Sequence, residues 1–116
     1  MQSAGDVDEE LLTLLDDENA RTILVETREQ PRSVDSLSDR CGADDSTVYR
    51  LVARLQEREL LTEHQEIDPD GNHYKTYAAR LERVEIQFTD DGVRIEVDRR
   101  EPPADRFTRL YEEFTG

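Results

Sequence analysis

Four apolar residues, Val48, Leu51, Val52 and Leu55, recur at i, i+3, i+4 and i+7. That spacing lines one face of an α-helix and no face of a strand. It predicts a helix from about residue 45 to Glu59, buried along this stripe. Asp44 or Asp45 stands where an N-cap belongs. Upstream, Gly42 fits the left-handed C-cap of a preceding helix, which the run Ser33-Val34-Asp35-Ser36-Leu37-Ser38-Asp39-Arg40-Cys41 supplies. Ser33 is the expected N-cap of that helix. Ser36 occupies the position where a full capping box carries Glu, so half the box is present. The central unit is therefore two helices joined by a short turn containing glycine, the second with one buried and one exposed face.

Leu11, Leu12, Leu14 and Leu15 predict a first short helix after a frayed tail at 1–7. Ala20, Ile23 and Leu24 predict a second over about 17–29. Pro31 is expected to end it, because the residue before proline avoids the helical region. After Leu60 the period changes to two. Leu61–Ile67 and Tyr74–Ala78 read as strands about the turn Asp68-Pro69-Asp70-Gly71-Asn72. Val84, Ile86 and Phe88, then Val93, Ile95 and Val97, alternate with polar residues about Thr89-Asp90-Asp91-Gly92, giving a second hairpin. Pro102-Pro103 breaks the chain. Phe107, Leu110, Tyr111 and Phe114 return to helical spacing, with Pro103 or Ala104 near the helix start. The expected fold is α+β and mostly helical: a unit at 8–80, then a hairpin plus helix at 81–116. The second hairpin's apolar face needs cover, since a lone hairpin is marginal. The last helix can supply it from the same chain or from a partner chain, and either way residues 81–116 are expected to stabilise a homodimer.

Hydrophobic residues make up 34% of the 116. Low hydrophobicity with high charge can signal disorder, but their periodic clustering argues for a modest core. No apolar run approaches the roughly 18 residues of a membrane span. Met1–Glu10 lacks a basic start followed by an apolar stretch, so no secretory signal is expected and a cytoplasmic protein is. With Cys41 the only cysteine, neither an intramolecular disulfide nor a cysteine-rich metal site can form. The net charge is -14, from 29 acidic and 15 basic residues, and Lys75 is the one lysine. This composition resembles that of proteins from extremely halophilic archaea, where carboxylates stay hydrated in molar salt. An acidic surface ordinarily disfavours nucleic acid. In molar salt the Debye length is about 3 Å, so local contacts decide.

The exposed face of the second central helix begins with Ser46, Thr47, Tyr49 and Arg50 and continues with Ala53 and Arg54. A DNA major groove about 12 Å wide admits a helix whose N-terminal residues reach base edges. Hydroxyls there can bond phosphates or bases. Tyr49 can contact a phosphate or a thymine methyl, and Arg50 and Arg54, one turn apart, can reach phosphates or a guanine edge. The runs Leu11–Leu24, Leu37–Gly42, Ser46–Arg50 and Leu55–Leu61 together resemble ArsR-like winged helix-turn-helix transcriptional regulators over roughly residues 10–80. The resemblance implies a recognition helix at about 45–59 and a wing at 61–78, which would bring His64, Gln65, Asn72, His73 and Lys75 near DNA. It also implies a homodimer, to which Leu11–Leu15 and Phe107–Phe114 are suited. Departures accompany it. Ser38 stands where a small apolar residue is usual. Asp44, Asp45, Asp68 and Asp70 would approach phosphates. The cysteine pairs and histidine clusters of metal-sensing members are missing, so no metal and no cofactor is expected.

The same residues admit other readings. Arg50 and Arg54 can be solvated helix charges. Cys41, at the end of an amphipathic helix, reads as an inert packed thiol rather than a redox switch. His64 and His73 are too few for a structural metal site. The pairs Asp16-Asp17, Asp44-Asp45 and Asp90-Asp91 read as solvated surface rather than acid–base machinery. No phosphate loop or nucleophile elbow is present, so no enzyme is expected. Phe107, Tyr111 and Phe114 read as core or interface rather than pocket lining. The functional expectation is a regulator of promoter DNA acting by occlusion, hence a repressor. The rival is a winged helix used only for protein–protein contact. A locally positive or neutral face around Arg50 and Arg54 would favour DNA, and an evenly acidic face the rival.

Overall fold

The computed structural model describes residues 8–101. The expected tail at 1–7 and the expected last helix lie outside them. The described chain is an α+β fold of four helices and two antiparallel hairpins. The helices are α1 (Glu9–Asp16), α2 (Glu18–Glu26), α3 (Val34–Cys41) and α4 (Asp45–Glu57). The strands are β1 (Leu61–Ile67), β2 (His73–Ala79), β3 (Leu81–Thr89) and β4 (Gly92–Arg99). Helix accounts for about 40% and strand for 34%, so the expectation of a mostly helical chain is corrected among the described residues. The hairpins run past their apolar positions through polar ones, because ladder bonds join backbones whatever the side chain.

All four helices begin on a side-chain cap. Asp8 accepts from the Leu11 N–H at 3.1 Å, Asp17 from Asn19 and Ala20 at 2.8 and 3.2 Å, Ser33 from Ser36 at 3.2 Å and Asp44 from Thr47 at 2.9 Å. Three of the four caps are carboxylates, so part of the acidic excess serves helix N-termini, where negative charge is favoured. Gly42 closes α3 with φ 66°, a left-handed conformation that glycine takes without a Cβ clash. Its N–H donates to the Ser38 carbonyl at 2.9 Å.

α2 stops at Glu26 rather than near residue 29. The cause is Thr27, not Pro31. The Thr27 hydroxyl donates to the Ile23 carbonyl at 2.7 Å, and the Thr27 carbonyl accepts from Ala79 of β2 at 3.0 Å. A neighbouring strand thus draws the carbonyl out of the helical ladder.

The α4 stripe lies at the centre of the core. Val48, Leu51, Val52 and Leu55 are all buried, packed with Leu11, Leu14, Ile23 and Leu37 of the other helices. Leu60 and Leu61 continue this core into β1. β1 and β2 pair in the register Leu61↔Ala79 through Ile67↔His73. Arg32, between α2 and α3, adds a one-residue bridge to Tyr77, with bonds of 3.0 and 2.8 Å. This bridge ties the first hairpin to the start of α3. The second hairpin is a separate two-stranded sheet. It is anchored where Leu81, Ile95 and Val97 meet the core. Arg99 also donates to the Arg58 and Glu59 carbonyls at 2.7 and 3.0 Å, placing a cation at the C-terminal end of α4.

Candidate nucleic-acid interface

α4 buries the stripe expected of it and leaves Ser46, Tyr49, Arg50 and Ala53 exposed, with Thr47 and Arg54 half-buried. Tyr49 is 57% exposed, a large aromatic ring on the surface of a helix. Beside it, a groove of about 540 Å³ opens between α4, the start of α3 and β2. Its lining includes Ser33, Asp35, Tyr49, Asp68, His73, Lys75 and Tyr77. Three of the side chains expected to meet DNA, Tyr49, His73 and Lys75, therefore converge there. The pleat explains the β2 pair. His73, Lys75 and Tyr77 alternate onto one face of the hairpin, and Tyr77, buried at the base, sets that face against the core. Burial, then the nearby Glu63 and Tyr49, push the Tyr77 phenol above its ordinary value.

His64 does not join them. It pairs across the ladder with Thr76, an odd number of residues from His73 and Lys75, so it lies on the hairpin's opposite face. Its Nε2 is 3.1 Å from the Thr62 hydroxyl. This places it on the other side of the hairpin from His73 and Lys75, with which the resemblance grouped it. A one-residue difference in phase reverses the side a strand residue faces, and the apolar pattern of this polar hairpin was too sparse to fix that phase.

Arg54 is also displaced from its expected role. Its Nε lies 3.7 Å from the Glu10 carboxylate on α1. Arg58, one turn on, is paired with both Asp8 and Glu10. The charges of α4's second half are thus turned toward α1. Arg50 remains. Among the described residues, Arg50 and Arg94 are the two arginines whose side chains form neither an ion pair nor a hydrogen bond. Lys75 is matched by Glu63 at 3.4 Å. The other Glu63 oxygen accepts from Gln56 of α4 at 3.2 Å, so Glu63 links α4 to the first hairpin. The one-dimensional pattern gave no signal for Glu63, because its contacts depend on how the hairpin packs against α4 and on the ladder register.

Ser46 and Thr47 face inward in chemical terms. The Ser46 hydroxyl donates to Asp44 at 3.2 Å. The Thr47 hydroxyl and N–H, then the Ser46 hydroxyl, hold the Asp44 carboxyl below its ordinary value. Their protons stabilise the cap, leaving oxygen lone pairs for an incoming donor. A group whose folded pKa is depressed contributes stability above its unfolded value and loses it as pH falls through the folded value. Asp44 should therefore titrate below 3.8 in a carboxyl-carbon NMR titration, with the Thr47 amide shift following the same curve. In Asp44→Asn, which keeps a capping oxygen, that amide titration should vanish. A midpoint at or above the ordinary value would contradict the cap.

Ser38 has a polar partner of its own. It is buried, and its hydroxyl donates to Asp45 at 2.6 Å, joining α3 to the first residue of α4. Alanine would fill the same space without that bond. Cys41 is half-buried, and its thiol donates to the Asn19 carbonyl at 3.7 Å. Burial, then Asp17 and Glu26, push the thiol up, which disfavours the nucleophilic thiolate.

Among the described residues no group of three His, Cys, Asp or Glu is arranged to hold a metal ion, and no helix is long and apolar enough to cross a membrane. No protein-family profile matches the chain, and no curated protein matches it.

Proposed function

We propose that this protein is a winged helix-turn-helix transcriptional regulator that binds double-stranded DNA, α4 entering the major groove and the β1–β2 hairpin serving as the wing. The observation that carries the reading is the convergence of Tyr49 with His73 and Lys75 on one groove, with the next residue of α4, Arg50, exposed and its side chain without an ion pair among the described residues. The order of elements supports it. Two helices joined by a glycine turn are followed at once by a hairpin that bridges back to Arg32. Arg50 lies in the N-terminal half of α4, the part of a recognition helix that reaches base edges. Two copies on a palindromic site would set their α4 helices about one DNA turn apart. Occlusion of a promoter, hence repression, is the regulatory outcome this architecture supports. A cytoplasmic location accords with that role.

Asp35 and Asp68 line the same groove, and they favour a second reading, a winged helix that docks a basic protein segment instead of DNA. Fluorescence anisotropy distinguishes the two. The probe is the duplex upstream of the protein's own gene, against a scrambled duplex, across a KCl series reaching molar concentration. Selective binding to the upstream duplex supports the DNA reading. No binding to either duplex at any salt favours the protein-docking alternative.

A further inference from the structure

Arg50, Arg54 and Arg58 recur at i, i+4 and i+8. On a helix that spacing sets side chains one above another along a single stripe, here carried by α4 and its C-cap, Arg58. Arg50 is exposed, and its side chain has no ion-pair partner among the described residues. The other two arginines meet the start of α1. The Arg58 guanidinium forks across two carboxylates, Nη1 to Asp8 and Nη2 to Glu10, the latter at 3.0 Å. The second Glu10 oxygen lies 3.7 Å from Arg54 Nε. The second Asp8 oxygen accepts from the Leu11 N–H at 3.1 Å, which fixes the cluster to the α1 backbone. Isolated surface pairs are worth little, but forked guanidinium contacts within a network are the exception. α1 also has a separate, apolar hold on α4, because Leu11 and Leu14 are buried in the core with Val48, Leu51, Val52 and Leu55. Nor are the arginines lost to burial: 35% of the Arg54 side chain and 25% of that of Arg58 stay exposed.

We infer that the start of α1 is an autoinhibitory clamp on the DNA face, with Asp8 and Glu10 occupying Arg54 and Arg58 as two backbone phosphates would. The inference rests on the DNA reading and adds a regulatory device to it. Carboxylate and phosphate suit the same guanidinium geometry, so the two compete for these side chains. Two cations and two carboxylates cancel, and of the stripe only Arg50 is offered to DNA. The consequence lies in the salt dependence. Each cation that neutralises a phosphate releases counterions and steepens the fall of log K with log salt by about 0.9. Cations already paired within the protein release none. The clamp therefore lowers affinity at low salt and flattens its decline toward molar KCl.

Fluorescence anisotropy on the upstream duplex, across about a tenfold range of KCl ending near 1 M, tests the clamp. Wild type is compared with Asp8→Asn/Glu10→Gln, in which asparagine keeps a capping oxygen. The slope of log K against log salt should steepen by about 1 to 2 in the variant. Its affinity advantage over wild type should then shrink by about 10- to 60-fold across the range. Glu10→Gln alone leaves the Asp8 cap untouched and should steepen the slope by about half as much, which guards against misfolding of the double variant. Adding Arg54→Ala/Arg58→Ala to the double variant should restore the wild-type slope. Glu9 and Glu18 are exposed, and Glu9→Gln/Glu18→Gln makes the same change in net charge without touching the arginines' partners. That control should keep the wild-type slope. Equal slopes in wild type and both clamp variants would overturn the inference while leaving the DNA reading intact. Equal steepening in the control would overturn it too, by assigning the effect to net charge. Absence of binding by every chain would overturn the DNA reading and the clamp with it.

Discussion

Leu55→Ala is expected to destabilise the protein by about 2–5 kcal/mol, the usual cost of removing a buried leucine side chain from a packed core. Leu55 is fully buried on the central stripe of α4, where the helix meets α1, α2, α3 and β1. A cavity there cannot be closed by moving one neighbour, because each is held from another side. Domains of this size are stable by only about 5–15 kcal/mol, so the loss is a large fraction of the whole. Chemical denaturation measures it as a lower midpoint at unchanged slope. Val25→Ala is the control. Val25 is 63% exposed, and its substitution should stay within about 0.5 kcal/mol. Equal effects from the two variants would mean that the α4 stripe is not the core.

The second large effect concerns DNA. On the proposed DNA reading, Arg50→Ala should weaken binding to the selected duplex by about 5- to 150-fold, the equivalent of about 1–3 kcal/mol for a lost base-edge contact. Arg54→Ala should change it by less than about 5-fold, since Arg54 is engaged with Glu10 and a half-exposed pair of this kind is worth at most about 1 kcal/mol. Glu10→Gln offers the reverse test: it frees Arg54 and removes a negative charge, so affinity should rise modestly. All three measurements belong at one fixed salt concentration, because phosphate contacts weaken steeply with salt. An Arg54→Ala effect equal to that of Arg50→Ala would show that the α1 pairing yields on binding. No effect from either would remove α4 from the interface.

The sequence alone determined what is decided within a few residues along the chain. The i, i+3, i+4, i+7 stripe fixed the buried face of α4. Ser33, Asp44 and Gly42 marked the boundaries of α3 and α4, because a cap bonds backbone groups only two to four residues away. Asp68–Asn72 and Thr89–Gly92 located both turns, and Gly71 and Gly92 take the positive φ that those turns need. Tyr49 could also be named as a candidate site residue from its place on the exposed face of the helix, whereas His73 and Lys75 were candidates only through the resemblance, which implies a wing at 61–78.

Only the tertiary structure decided which of those candidates meet. Arg54 and Glu10 are distant in sequence, and their pairing follows from α1 packing across α4. Thr27 ends α2 because β2 arrives beside it. His64 faces away from His73 because the ladder register sets its side. Glu63 joins Gln56 to Lys75 for the same reason. In each case the deciding partner is far along the chain, and neither periodicity nor capping carries information about it. Local hydrogen bonds and the burial period specify elements, whereas packing specifies which charged side chains are neutralised. Among the described residues that packing leaves the Arg50 side chain without an ion pair, on a helix whose position was legible from its leucines and valines.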